Sequence, residues 1–445
     1  MEKFPMKIKF VILFFTIVIA LSGCSFSLDV STFMDIPKLT GDYGEIQSAL
    51  EKKYDSNVIL SLPLAQTLEN QSSIILCEED KAVVCFKTEE KGESTYIAVV
   101  RKVDGVWNIL SVLNKRGCDV DRVFWGEISD SKNNEIVVGW RSVSNSDNFI
   151  RIYQIVESDV KECEFNENIY NEKYNEFLVT DIDLDGKDEI FFVSEVTEKN
   201  GTISKSAQVF KFKDDDLYVT SKCRLRSFMK YFSIKEGMVD STHKGIFLDG
   251  FMYWKQELIT YDLVYWNAEK SSIEDAFVAD DGNDEGLFIQ PSFEKSRDID
   301  GDGIVEIPVS KVTSWSMEEE NFFPAVLMIW EKYNIKTRKL ENLGSSTYIK
   351  NEYEGYAIYL TDEYISESLN SAIYVDTLSR TMVFEEKDEK KLEIKVFTKD
   401  KWKENSDEYQ FIAESEKDKQ VYAVKYFGET NVFPFEKLKE NFKFI

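Results

Sequence analysis

Two short acidic stretches hold the residues best suited to chemistry in this sequence. They run from Asp181 to Ile190 (DIDLDGKDEI) and from Asp298 to Ile307 (DIDGDGIVEI). Counting the first aspartate as position 1, each stretch has carboxylates at positions 1, 3, 5 and 9 and glycine at position 6. Like charges about 4 Å apart repel by roughly 1 to 4 kcal/mol, and calcium, which takes six to eight oxygen ligands, removes that repulsion. The spacing therefore predicts two calcium sites.

The predicted ligands occupy equivalent positions in the two loops. Side chains at positions 1, 3, 5 and 9 would coordinate the ion, and the residue at position 7 would contribute a backbone carbonyl. Glycine at position 6 lets the backbone turn where a Cβ would clash. The ligands are Asp181, Asp183, Asp185, Lys187 and Glu189 in the first loop, and Asp298, Asp300, Asp302, Ile304 and Glu306 in the second.

The loops do not follow the EF-hand pattern. An EF-hand has its bidentate glutamate at position 12 and is flanked by helices. Here the last acid stands at position 9, and the apolar run from Ile190 to Val193 is typical of a strand. A hairpin turn rich in aspartate and glycine that binds no metal remains the alternative.

Composition favours β structure and excludes several functions. Aromatic residues make up 14% of the 445 residues, and there are only 7 prolines. The formal net charge of −27 argues against a nucleic-acid partner, because phosphate binding needs basic patches. His243 is the only histidine, and it lies in a predicted surface turn without a nucleophile motif around it.

The acidic loops belong to a longer repeat. The same frame fits a loop at Glu127, where the acids are eroded, and one at Gly237, where they are lost; a shortened version follows Ser73. A period of about 55 residues is typical of stacked or radial repeats. The best-preserved unit predicts four strands, at 174–180, 189–196, 206–213 and 217–222. Radially repeated four-stranded units are propeller blades.

With these loops and strands, residues 72–343 resemble the FG-GAP/VCBS-type repeats of integrin α-subunit heads and many bacterial surface proteins. The resemblance implies a mainly β propeller with about five recognisable blades. A ring of seven is the alternative, in which the C-terminal residues, whose length is close to two periods, form two diverged blades. It also implies that the acidic residues of the two intact loops are metal ligands. The loops at Glu127 and Gly237 depart from the pattern, so calcium is not expected there.

The N-terminus resembles a bacterial lipoprotein signal. Lys3, Lys7 and Lys9 precede an apolar run from Phe10 to Leu21, which is followed by Ser-Gly and Cys24. Residues 1–23 are thus a predicted signal peptide, and Cys24 would be diacylated and anchored in the cell membrane on its extracytoplasmic face. A short transmembrane anchor is the alternative, although the apolar run is too short to span comfortably.

The remaining segments complete the predicted organisation. Residues 24–39 are a tether, and residues 40–71 contain a helix over 40–54, with Asp42 as its N-cap, and a lead-in. Residues 344–445 lack the acidic loop and predict a small α+β domain with a closing helix at 435–442; two diverged blades are the alternative. The cysteines other than Cys24 read as buried thiols, with a Cys77–Cys85 disulfide as a second interpretation.

The favoured function is a non-enzymatic, surface-anchored module that binds an envelope glycan or protein. The alternative is an extracytoplasmic hydrolase or lyase acting on carbohydrate, which needs two carboxylates about 5 to 9.5 Å apart. The acidic run from Asp280 to Glu285 is the candidate for that pair. A solute-binding lipoprotein is disfavoured, because the sequence lacks long alternating βαβ patterns.

The lipoprotein interpretation predicts the behaviour of Cys24→Ala. Without the thiol that accepts the diacylglyceryl group, the variant should incorporate no labelled fatty acid and accumulate as uncleaved precursor. Metabolic acyl labelling and the mass of the membrane-bound form measure this. Cys118→Ala is the matched control and should be processed normally. Normal cleavage and anchoring of Cys24→Ala would contradict the interpretation.

Overall fold

The computed structural model describes most of the chain from residue 41 onward. The described residues are 41–54, 58–65, 72–88, 95–129, 134–145, 147–156, 159–163, 172–214, 216–253, 255–278, 294–312, 321–342, 347–361, 364, 372–428 and 433–445. The predicted signal peptide, the tether and Cys24 lie outside these residues, as does the acidic run from Asp280 to Glu285. The described chain folds into two compact units.

The first unit comprises residues 41–61, 73–88 and 97–113, and it combines one helix with an antiparallel sheet. Helix α1 (Asp42–Lys53) buries Ile46 and Leu50, which lie one turn apart. The sheet has the order β1-β3-β4-β5, with β2 paired to β3. Its strands are β1 (Val58–Leu60), β2 (Ile74–Glu78), β3 (Lys81–Thr88), β4 (Tyr96–Val103) and β5 (Val106–Leu113).

The helix is where predicted, but the predicted N-cap is wrong. Gly41, at φ 63°, occupies the N-cap position and, having no side chain, cannot make a capping hydrogen bond. Asp42 is the first helical residue, and its carboxylate instead accepts hydrogen bonds from Lys102 Nζ at 2.5 Å and Trp107 Nε1 at 3.0 Å. These bonds to β4 and β5 hold the start of the helix against the sheet.

The second unit begins with three successive four-stranded antiparallel sheets, each with its strands in chain order. The first sheet holds β6 (Cys118–Gly126), β7 (Glu135–Ser142), β8 (Asn148–Val156) and β9 (Asp159–Glu162). The next holds β10 (Glu176–Thr180), β11 (Glu189–Thr197), β12 (Ile203–Lys213) and β13 (Asp216–Leu225). The third holds β14 (Met229–Met238), β15 (Lys244–Met252), β16 (Lys255–Asn267) and β17 (Ser272–Asp275).

Neighbouring sheets of this unit share apolar cores, and β11 shows how. Its side chains alternate, as the period-2 geometry of a strand requires. Ile190 and Phe192 pack into the core shared with the preceding sheet, whereas Phe191 and Val193 pack into the core shared with the following one. Because both faces are covered, the strand reads as an uninterrupted apolar run. A similar core joins the third sheet to Val305, Ile307 and Val309 after the second acidic loop.

Two six-stranded sheets complete the second unit. The first has the order β18-β20-β22-β23-β29, with β21 paired to β20, and the second has the order β19-β24-β25-β26-β28-β27. The strands of the first are β18 (Ile307–Val312), β20 (Val326–Asn334), β21 (Lys339–Asn342), β22 (Thr347–Asn351), β23 (Tyr356–Leu360) and β29 (Phe442–Phe444). Those of the second are β19 (Phe322–Pro324), β24 (Ala372–Asp376), β25 (Thr381–Glu386), β26 (Glu389–Thr398), β27 (Gln410–Ser415) and β28 (Gln420–Tyr426).

The C-terminal residues add two short helices to these sheets. They are α2 (Lys399–Asn405) and α3 (Phe435–Asn441), the second being the predicted closing helix. One apolar cluster runs from Ala325 to Phe442 and so includes residues on both sides of the predicted boundary at 343/344. Strands on both sides of that boundary also pair with one another, as β20 does with β22.

The mainly β fold class is confirmed, and its repeated unit is the four-stranded antiparallel sheet expected of a blade. Within the described part of the chain, no helix combines the length and apolar character needed to cross a membrane.

The cysteines from Cys77 onward are free thiols, so the disulfide interpretation of Cys77 and Cys85 is not realised. Burial raises the pKa of Cys77, Cys85 and Cys163 to about 12. Burial also raises the pKa of Cys118 and of Cys223.

These raised pKa values predict unreactive thiols, because the thiolate is the nucleophile. A soluble protein beginning at Ser25 should react hardly at all with a disulfide reagent at pH 8, and all five thiols should react once it is unfolded. Ser144→Cys, at an exposed turn, is the positive control and should add one fast-reacting thiol. Fast reaction of a native cysteine would contradict the burial described here.

Candidate metal centre

Each acidic loop is the turn of a β-hairpin. The first joins β10 to β11, where Thr180 pairs with Glu189. The second precedes β18 and is closed by Arg297 and Glu306, whose backbone N–H groups each donate to the other's carbonyl at 3.0 Å. Position 9 therefore begins the outgoing strand in the first loop and directly precedes it in the second, as the apolar residues that follow predicted.

The position-1 carboxylates hold the turns through backbone hydrogen bonds. Asp181 accepts bonds from the N–H groups of Asp185 at 3.0 Å and Gly186 at 2.9 Å. Asp298 accepts bonds from Gly301 at 2.7 Å and Gly303 at 2.8 Å. Gly186, Gly301 and Gly303 all have positive φ, which glycine adopts without a Cβ clash.

The position-9 carboxylates are buried and used in the same way in both loops. Glu189 is 2% exposed and Glu306 is 3% exposed. One oxygen, Oε2, accepts the N–H of position 2: Ile182 at 3.0 Å in the first loop and Ile299 at 2.9 Å in the second. The other oxygen, Oε1, lies 3.2 Å from Lys211 Nζ in the first loop and 3.0 Å from Lys332 Nζ in the second.

The predicted ligands are largely brought together. Carboxylate oxygens of Asp298, Asp300, Asp302 and Glu306 lie within 4.8 Å of one another, and so do those of Asp181, Asp183 and Asp185. Calcium–oxygen distances of about 2.3–2.6 Å require ligand oxygens no farther apart than roughly 5 Å. Asp183 Oδ1 is buried and accepts no hydrogen bond from the described residues. The donor set therefore fits a calcium ion.

Three predicted ligands differ from the others. Glu189 is outside the set of mutually close oxygens, although it points into the same loop. Lys187 and Ile304 donate their backbone N–H groups to the position-5 carboxylates of their loops, at 3.0 and 2.9 Å. The role of their carbonyls as ligands stays a prediction.

A lysine that the sequence analysis did not single out lies in each cluster. Lys211 Nζ, from β12, forms an ion pair with Asp183. It also lies 2.8 Å from the Asp185 carboxylate and 3.2 Å from that of Glu189. Lys332 Nζ, from β20, forms an ion pair with Asp302. It also lies 3.3 Å from the Asp300 carboxylate and 3.0 Å from that of Glu306. The signal that could have found them is strand register, because each lysine stands opposite position 9 of its loop.

The contacts within each cluster shift the pKa of its lysine, and in the first loop the pKa of Glu189 is shifted too. Burial lowers the pKa of Lys211, but hydrogen bonds to Asp183 and Asp185 outweigh it and hold the pKa above its usual value. For Lys332 the bonds to Asp302 and Glu306 outweigh burial in the same way. Burial and repulsion from Asp183 raise the pKa of Glu189 to about 7 despite Lys211.

The first loop is also tied to the preceding repeat. Asp188 donates its N–H to the carbonyl of Glu127, and its carboxylate accepts the N–H of Glu127, both at 2.8 Å. A Cβ at Gly126 would lie 2.7 Å from Asp188 Oδ2 and 2.8 Å from Val179. In the second loop, Val305 donates to the carbonyl of Met238 at 2.9 Å. Position 8 thus joins each intact loop to the eroded or lost loop before it.

Among the described residues, neither degenerate loop brings three or more acids together. At the eroded loop, Glu135 still accepts the N–H of Ile128 at 3.0 Å. Its Oε1 accepts a hydrogen bond from Gln154 Nε2 at 3.3 Å, whereas the corresponding oxygen of each intact loop contacts a lysine. At the lost loop, His243 lies in the turn between β14 and β15, as predicted. Its Nδ1 is 2.9 Å from the Asp240 carboxylate, which makes it a turn contact.

Comparisons with known proteins add little to this description. No protein-family model matches the chain, and no curated protein matches it by sequence. A solved structure of the Dos1 propeller is similar over 74% of this chain and 70% of its own, with 8% sequence identity and a TM-score of 0.29. At that TM-score the likeness carries no conclusion about this chain.

The contact between repeats predicts a coupling between Gly126 and Asp188. Gly126→Ala should destabilise the protein by about 1–3 kcal/mol, because its Cβ overlaps the Asp188 carboxylate. In an Asp188→Ala background the same substitution should cost clearly less. Denaturant unfolding of the four proteins of this double-mutant cycle measures the difference. An equal cost in both backgrounds would show that the carboxylate does not set the need for glycine.

Proposed function

We propose that this protein is a calcium-stabilised scaffold of propeller-blade repeats, anchored by acylated Cys24 to the extracytoplasmic face of a cell membrane. In this proposal it binds an envelope glycan or protein and performs no catalysis of its own. The calcium ions hold the two intact acidic loops, and the membrane anchor places the repeats in the envelope.

The observation that carries the proposal is the matching geometry of the two loops. In both, position 1 accepts the glycine N–H of position 6, and position 9 accepts the N–H of position 2. In both, one lysine also contacts the side chains at positions 3 and 5. The same arrangement built twice, with oxygens within 4.8 Å, supports a shared ligand, and carboxylate oxygens are ligands that calcium prefers.

The anchor and the binding role rest on other support. Three lysines, a short apolar run and Leu-Ser-Gly before Cys24 support acylation. The resemblance of the loops to FG-GAP/VCBS-type repeats, which occur in surface proteins, supports binding to an envelope component. The net charge of −27 supports a partner other than nucleic acid.

Calcium titration of the soluble protein beginning at Ser25 tests the proposal. Calorimetry should find two calcium ions per chain, and Asp183→Ala and Asp300→Ala should each remove one. Asp400→Ala, which changes an exposed acid in α2, is the matched control and should leave the stoichiometry at two. Absence of calcium binding to the wild type would overturn the proposal, as would four equivalent sites.

Thermal melting supplies the second readout. A ligand that binds only the folded state stabilises it by about 2.7 kcal/mol at one hundred times its Kd, and extracellular calcium modules bind at about 10⁻⁴–10⁻³ M. Millimolar calcium should therefore raise the Tm modestly relative to chelator. The increase should be smaller in each aspartate variant and unchanged in Asp400→Ala. A Tm that does not depend on calcium would contradict a stabilising role.

A further inference from the structure

We propose that Lys211 and Lys332 are tethered counter-ions of the two acidic loops, and that calcium binds by displacing them. The lysines hold the loops folded when calcium is scarce and weaken calcium binding by competing with it. The displacement step rests on the calcium binding proposed above. The counter-ion role does not, because it concerns the metal-free protein.

Each lysine contacts the carboxylates that would coordinate calcium, so the lysine and the ion compete for the same oxygens. Lys211 Nζ contacts the side chains at positions 3, 5 and 9, and Lys332 Nζ does the same in the second loop. These are the side chains predicted to coordinate the ion. An ammonium group within hydrogen-bond distance of several ligand oxygens occupies the space in which a cation would sit.

The two lysines reach this place by the same structural route. The strand register pairs Ile190 with Phe210 and Ile307 with Glu331. Lys211, which follows Phe210, therefore lies opposite Glu189, and Lys332, which follows Glu331, lies opposite Glu306. Both side chains are mostly buried, with 21% of Lys211 and 12% of Lys332 exposed. Burying a lysine is costly unless it is paired, and here each is paired with three carboxylates.

The eroded loop provides an internal comparison. There Glu135 keeps position 9, but Ser129 and Ser131 replace the aspartates at positions 3 and 5. The cross-strand residue paired with Glu135 is Gln154, which is neutral. Among the described residues, the side chain opposite position 9 is thus an ammonium in the two repeats that have the full set of acids and a neutral amide in the eroded one. This pattern is expected of a residue that neutralises the acids.

The charges also favour an exchange. One ammonium leaves each cluster of four carboxylates with an excess of negative charge, so that a divalent cation still gains from replacing it. After displacement, Lys211 has an alternative contact nearby, because its Nζ is 5.6 Å from the centre of the Trp266 ring. Each loop can then exist in a lysine-held form and a calcium-held form.

The substitutions Lys211→Gln and Lys332→Gln test this, since glutamine is the residue of the eroded repeat. In chelator, each variant should have a lower Tm than the wild type. Calorimetric titration should show calcium binding to the altered loop at least about tenfold more tightly, because the ion no longer has to displace an ammonium from its ligand oxygens; tenfold corresponds to about 1.4 kcal/mol. The unaltered loop should keep its Kd. Lys403→Gln, on the exposed face of α2, is the control and should change neither property.

Lys211→Arg distinguishes the charge from the packing of the side chain. It should keep most of the metal-free Tm and the weak calcium binding, whereas Lys211→Gln changes both. If Lys211→Gln does not fold in chelator, Lys332→Gln supplies the comparison.

The results separate this inference from the proposed function. An unchanged metal-free Tm in both glutamine variants would overturn the counter-ion role, even if calcium binds normally. Calcium Kd values that stay equal or become weaker would overturn the displacement. Failure of wild type and variants alike to bind calcium would overturn the proposed calcium function, and the metal-free melts alone would then decide the counter-ion role.

Discussion

Repulsion among carboxylates crowded at the end of a hairpin is the constraint on which the intact repeats depend. The nine residues of the loop contain five acids in the first repeat and four in the second, and these must be held by donors and cations before the two strands can pair. Two kinds of contact meet this need. In the first loop, backbone N–H groups donate to the carboxylates at positions 1 and 9, and Lys211, from the third strand of the sheet, contacts positions 3, 5 and 9. The loop is therefore a junction between three strands rather than a turn between two.

This junction matters beyond its own sheet because neighbouring sheets share buried cores. β11 begins at Glu189 and covers one core with Ile190 and Phe192 and another with Phe191 and Val193. The backbone bonds between Asp188 and Glu127 join the start of the same strand to the preceding repeat. A change in the charge of the loop would thus act at the point where two repeats meet.

Local patterns in the sequence predict much of this structure. The four strands predicted at 174–180, 189–196, 206–213 and 217–222 all form, as β10 to β13, and the apolar run from Ile190 to Val193 lies in a strand, as its pattern predicts. The C-terminal sheets are harder, since β19 pairs with β24 across about 50 residues of chain, and local pattern carries no signal for such pairing. The lysines were missed for the same reason. Lys211 lies 22 residues beyond Glu189, and only the register of β11 and β12 brings them together.

Hydrogen exchange in chelator tests the central claim, that the acidic loops are folded and neutralised without metal, most directly. The informative amides are those of Ile182 and Gly186 in the first loop and of Ile299 and Gly303 in the second. The account predicts that all four exchange slowly in the metal-free wild type. In Lys211→Gln, only the first two should become fast, and calcium should restore their protection. Exchange of all four at the rate of an unfolded peptide in the metal-free wild type would contradict the account.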